Sequence, residues 1–107
     1  MKSNEQKRTI DGLDVSTETK LIEGLCSLEV EVGTNGYHGG DSEHGCRTYV
    51  RFQNLASADI RVTLVLNELD ETICGFELTL GGDSELDAII KALRFAAETL
   101  ESEKGNK

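Results

Sequence analysis

The chain has 107 residues, 20 Asp and Glu against 11 Lys and Arg, a net charge of −9, three cysteines, no tryptophan and no proline. That length holds one small core, and a domain this small gains from covering an apolar face or strand edge with another copy, so a homo-oligomer is expected. The charge argues against direct nucleic-acid binding and against a membrane surface, both of which reward a positive field. The sequence has no apolar run long enough to cross a bilayer and no secretory leader pattern, and the odd cysteine count without a C-x-x-C pair suits free thiols. These features point to a cytoplasmic protein, and the pattern calls for no cofactor.

Residues 1–20 are polar, with isolated Ile10, Leu13 and Val15 and no sustained period, and read as a mobile N-terminal arm; alternatively, Leu13 and Val15 form a short edge strand or reach a partner subunit. A single domain is expected over 21–104. Its first strand has Leu28, Val30 and Val32 alternating with Glu29 and Glu31, the pattern of a strand with one solvated face. Leu21, Ile22 and Leu25 lengthen it or form one helical turn before it. Gly33-Thr34-Asn35-Gly36 then breaks the period, and Asn-Gly signals a turn.

The stretch Gly33 to Phe52 collects five glycines, both histidines, both tyrosines, two of five arginines and Cys46, more chemistry than a connecting loop requires. Alternation resumes over Arg47 to Leu55, with Thr48, Val50 and Phe52 on the core face and Tyr49, Arg51 and Gln53 on the other. After a connection at 56–58 come strands over Asp59 to Leu66 and Thr72 to Leu80, joined by a polar turn at Asn67–Glu71. Ile60, Val62, Leu64 and Leu66 point inward in one, and Cys74, Phe76, Leu78 and Leu80 in the other. Short connections favour an antiparallel meander. A helix follows Gly81-Gly82, capped by Asp83 or Ser84 and ending near Gly105, with Leu86, Ile89, Ile90, Leu93, Ala97 and Leu100 as its apolar stripe against the sheet. The expected fold is α+β: a four-stranded, mainly antiparallel sheet packed against one long C-terminal helix.

Acids are unevenly spread: 67–103 carries ten against two bases, whereas 34–66 balances three arginines against three acids and is the place where an anion meets no local repulsion. Backbone amides of Gly36, Gly39, Gly40 and Gly45, with Arg47 and Arg51, suit phosphate oxygens. Tyr37 or Tyr49 suits stacking on a base, and His38, Asp41, Ser42 and His44 suit ribose or base edges. The candidate ligand residues are thus Tyr37, His38, Gly39, Gly40, Asp41, Ser42, His44, Arg47, Tyr49 and Arg51. The glycines match neither a P-loop nor a dinucleotide fingerprint, because a strand and not a helix follows.

His38, Asp41, His44 and Cys46 are potential zinc ligands, but their spacing is that of no standard finger, and Cys46 with His44 lacks a third group to orient the base. A metal-dependent hydrolase therefore ranks below binding. Cys26 and Cys74 read as small core residues. The acids of 83–87 and 98–103 permit a further class, an acidic inhibitor that mimics nucleic acid and blocks a host factor.

The segments TNGYHGGDSEHGCRTYVRF and LGGDSELDAIIKALRFAAETLE, within residues 28–103, resemble short acidic phage and prophage proteins, the Gly36–Tyr49 run most distinctively. Among these are the anti-defence sponges of the Thoeris anti-defence type. The resemblance implies an oligomer that sequesters a cyclic ADP-ribose or cyclic nucleotide immune signal without cleaving it, the loop gripping pyrophosphate and adenine. It assigns no ligand residues one by one.

Overall fold

The computed structural model describes residues 3–23, 27–55 and 59–104. Strands β1 (Ser3–Ile10), β2 (Leu13–Ile22), β3 (Leu28–Thr34) and β4 (Thr48–Asn54) form a four-stranded antiparallel sheet in that order. Strands β5 (Ile60–Leu66) and β6 (Ile73–Leu80) form a separate two-stranded sheet, and helix α1 (Asp83–Glu103) follows. The class is α+β, but the four strands are not the four expected. β5 and β6 stand outside the sheet, and β1 and β2 take their place. Short connections signal antiparallel neighbours, yet connection length does not decide which edge of β3 or β4 receives a partner.

The stretch expected as an arm is therefore a hairpin. Asp11 and Gly12, with φ of 53° and 82°, form its two-residue turn, and Ile10 pairs with Leu13. Both central residues of such a turn need positive φ, which an Asp-Gly pair supplies, so the signal stood in the sequence inside an otherwise polar run. β2 then pairs with β3, Thr17 opposite Gly33 and Ile22 opposite Leu28. Gly33 has no room for a side chain: a Cβ there would overlap the Ser16 carbonyl oxygen and lie 2.8 Å from Thr17 Cα.

The core joins Ile22, Leu28, Val30 and Val32 of the sheet to Ala88, Ala92 and Ala96 of α1, with Phe52, Ile60, Ile89, Phe95 and Leu100 packed around them. Small alanines let the helix approach the sheet closely. The expected stripe is split: Ile89 and Leu100 pack against the core, whereas Leu86, Ile90 and Leu93 are exposed, roughly a third of a turn away from the alanines at about 100° per residue. The helix N-cap is Gly82, with no side-chain cap from Asp83 or Ser84; buried Glu85 lies in the first turn, where the macrodipole favours an acid.

Gly45 adopts a left-handed backbone conformation with φ of 95° and ends the 3₁₀ turn Ser42–His44 within the loop between β3 and β4. Cys74, expected inside, is exposed beside the register shift of the β5–β6 ladder. Cys26, Leu25, the connection at 56–58 and Gly105 lie outside the described residues. Among the described residues no helix is long and apolar enough to cross a membrane.

Candidate functional site

β4 divides the candidate residues between two environments. Its alternation is as expected: Phe52 packs on the helix side, and Tyr49 and Arg51 share the opposite face with Glu29 and Glu31 of β3. On that opposite face the cations are already matched. Arg51 Nη1 donates to Glu29 Oε1 at 3.0 Å and lies 3.9 Å from Glu31 Oε1, and its Nη2 donates to Gln53 Oε1. Arg8 of β1 meets Glu31 with both arms, Nε to Oε2 at 2.6 Å and Nη2 to Oε1 at 2.7 Å, and Thr17 Oγ1 donates to the same Oε2 at 2.6 Å.

Glu31, expected on a solvated face, is 1% exposed. Hydrogen bonding from Arg8 holds its carboxyl below the usual glutamate range, with the Thr17 hydroxyl adding to the effect and burial opposing it. The Arg8 guanidinium, 4.9 Å from the Tyr49 ring centroid, is raised in turn, first by that same hydrogen bond to Glu31. Tyr49 and Arg51 thus belong to a partly exposed ionic layer on the back of the sheet, and both also line a crevice of about 330 Å³ beside Val50, Phe52, Val62 and Phe76. Arg8, Thr17 and Glu31 escaped the sequence reading because charged and hydroxyl residues in a polar stretch carry no sign of burial until their partners are known.

The loop stands at the other end of β3 and β4. Asn35 closes its neck: its backbone N–H donates to the Arg47 carbonyl (3.2 Å), its Nδ2 donates to the Gly45 carbonyl (2.7 Å), and its Oδ1 accepts from the Arg47 N–H (2.7 Å). Asn-Gly therefore marks a neck here and not a hairpin turn. Inside the loop, polar side chains bond mostly to the loop itself. Asp41 Oδ1 accepts from the Glu43 N–H at 3.1 Å and lies 2.9 Å from His44 Nδ1; His38 Nε2 lies 3.0 Å from the Asn35 carbonyl oxygen. Gly39 and Gly40 are exposed, Ser42 opens the 3₁₀ turn, and the Ser42 side chain lies outside the described residues.

Two bonds tie the loop to its surroundings. Arg47 Nε donates to Asp11 Oδ2 at 3.0 Å, reaching the turn of the first hairpin, and the Tyr37 N–H donates to the Lys104 carbonyl at 3.0 Å. The second bond satisfies a carbonyl at the helix C-terminus that has no partner within the helix. Glu103 Oε1 accepts from the Thr34 N–H at 3.4 Å, and burial pushes the Glu103 carboxyl above its usual range.

Between the loop root and the last turns of α1 lies a crevice of about 370 Å³, lined by Thr34, Gly36, Tyr37, Cys46, Thr48, Ala97, Leu100, Glu101 and Lys104. Its walls are mostly apolar, Tyr37 stands exposed at its edge, and Lys104, paired with Glu101 at 3.0 Å, supplies a cation. Of the expected site residues, Tyr37 lines it directly. His38, Gly39, Gly40, Asp41 and His44 belong to the loop beside it, and Arg47 adjoins Cys46 at its neck. Ala97, Leu100 and Lys104 were not anticipated, because a site shared between a loop and a helix 60 residues later leaves no local pattern.

Among the described residues, no three His, Cys, Asp or Glu side chains stand close enough to hold a metal ion. No protein-family model matches the chain, and no curated protein or solved structure is detectably similar to it.

Proposed function

We propose that this protein binds a small phosphorylated nucleotide, of the cyclic nucleotide or cyclic ADP-ribose kind, without turning it over, in the crevice between the glycine loop and the end of α1. The observation that carries the reading is the crevice itself, an apolar slot of about 370 Å³ with one exposed aromatic ring at its edge, Lys104 in its wall and Arg47 next to its lining residue Cys46. Pockets of this kind, mostly apolar with a few placed polar groups, suit a flat heterocycle. The base lies against Tyr37 and Leu100, and the phosphate is drawn toward Arg47 and Lys104. Asp11 and the Cys46 carbonyl hold the Arg47 guanidinium, but Asp11 is exposed and readily solvated, and a phosphate offers the guanidinium a stronger charge-assisted partner.

Arg51 and Tyr49 do not belong to this site in the proposal, since they face the ionic layer behind the sheet. Bonds from Asn35 and to Lys104 hold the loop shape before any ligand arrives, which lowers the ordering cost of binding. By the sequence resemblance such a protein acts as a sponge for an immune signal.

Calorimetric titration of the protein with a panel of cyclic nucleotides and cyclic ADP-ribose isomers, followed by denaturation and analysis of the ligand, tests the reading. Micromolar or tighter binding with intact ligand recovered is expected. Tyr37→Ala and Leu100→Glu should each weaken it at least tenfold, about 1.4 kcal/mol. Arg51→Ala should leave affinity unchanged in molecules that remain folded. Altered ligand would make the protein an enzyme, and no binding to any member would shift the reading to a macromolecular partner.

A further inference from the structure

The β5–β6 hairpin is amphipathic along its whole length. Its ladder pairs Ile60 with Leu80, Val62 with Leu78, Leu64 with Phe76 and Leu66 with Ile73, so one face carries only large apolar side chains. The other face carries Arg61 opposite Thr79 and Thr63 opposite Glu77. At the base of the apolar face, Ile60 packs on the core. Toward the tip that face has no cover: Val62, Leu64, Leu66, Ile73 and Phe76 are exposed. A two-stranded hairpin in water is marginal unless such a face is packed against something.

A second bare apolar face lies on α1, where Leu86, Ile90 and Leu93 point away from the sheet. With Val50 of β4, the two faces leave nine large apolar side chains between 41% and 63% exposed. Their exposed area is on the order of 800 Å², what a standard-size interface takes from each partner and more than one patch on a monomer usually shows. The faces also match in length: about 13 Å from Val62 to Leu66 along the strand and about 10 Å from Leu86 to Leu93 along the helix. The molecule is correspondingly extended, with a radius of gyration of 15.5 Å, against about 13 Å for a compact chain of this length.

We infer that the occupant of each face is a second copy of this chain, in a two-fold dimer in which the β5–β6 hairpin of each protomer lies across the α1 face of the other. One chain carries both halves of the contact, and an isologous pairing buries all four faces at once. A lipid surface fits less well, because the patch is set in a protein of net charge −9, which an anionic headgroup layer repels. The inference is independent of the ligand reading, since Leu64 and Leu93 do not line the crevice by Tyr37.

The test is the solution mass of the full chain by sedimentation equilibrium at about 10 μM, for the wild type and for Leu64→Glu and Leu93→Lys. The wild type should have twice the chain mass, and each variant the mass of one chain with an unchanged far-ultraviolet circular dichroism spectrum. Mixing the two variants in equal amounts should restore a dimer, because one of its two contacts is then native and the other sets Glu against Lys. A monomeric wild type overturns the inference, as do variants that remain dimeric. Failure of the mixture to dimerise overturns the hairpin-to-helix pairing, since that pairing alone brings positions 64 and 93 together. Should Leu64→Glu fail to fold, Leu64→Ser replaces it, with at least a tenfold rise in the dimer dissociation constant expected.

Discussion

The two hairpins of this chain reverse what their compositions suggest. β1–β2 is polar along most of its length, yet it supplies half of the four-stranded sheet. β5–β6 has the stronger apolar alternation, yet its face toward the tip is exposed. The difference lies in what each has across from it. β2 has a register partner in β3, and β1 carries Arg8 to Glu31, so the polar hairpin buries the Glu31 carboxylate and Thr17 with their hydrogen bonds satisfied. β5–β6 has a packed residue at its root in Ile60 and apolar faces beyond. Hydrophobic burial supplies strength without direction, whereas register and paired hydrogen bonds settle where a strand goes.

The comparison breaks most readily at Glu31. Glu31→Ala should cost about 2 kcal/mol in urea unfolding, because it removes a two-armed ion pair and leaves the Thr17 hydroxyl with only its longer bond to the Gln6 carbonyl, while Arg8, partly exposed, turns its freed charge to water. A loss below about 0.5 kcal/mol, the range of an ordinary surface substitution, would mean that this pair does not weld the first hairpin to the sheet.

Acid sharpens the same point. The Glu31 carboxyl is held below its ordinary value of 4.5, so its contribution to stability is complete above that pH and is lost as the pH falls through the lower folded-state value. Glu103 shifts the opposite way: burial raises it, so it takes up its proton first, and that protonation favours the folded state. The melting temperature should hold or rise slightly as the pH falls toward 4.5 and then drop below it. In Glu31→Ala the drop should be much smaller, and an unchanged drop would place the acid sensitivity elsewhere.

The smallest effect is expected at the tip of the second hairpin. Asp70 Oδ1 accepts from the Thr72 hydroxyl at 2.9 Å and the Thr72 N–H at 3.2 Å, and the hydroxyl bond leads in lowering its pKa. Asp70→Ala should leave the urea midpoint unchanged while hydrogen exchange quickens at residues 67–73. A global loss of stability would show the second hairpin to be as firmly joined to the core as the first.

Much of the local structure was legible. Strand ends near 48–54, 60–66 and 73–80 follow from period-two alternation, and the helix follows from Gly81-Gly82 and its apolar spacing. The Asp11-Gly12 turn was equally legible as a turn, but polar flanks concealed that its strands join the sheet. For the site, the glycine loop declared itself by composition. The helix residues Ala97, Leu100 and Lys104 did not, and Arg51, read as a ligand cation, faces Glu29 and Glu31 across the ladder.

By itself the sequence determined the elements: which residues alternate, where glycine permits a turn, and where a helix period begins. These depend on neighbours within a few positions, and so they can be read along the chain. Tertiary structure alone decided which strands share a sheet, which helix face meets it and which charges become partners. Those choices turn on residues far apart in sequence: Thr17 opposite Gly33, Arg8 reaching Glu31, and alanines in place of leucines as the surface small enough for the helix to lie close.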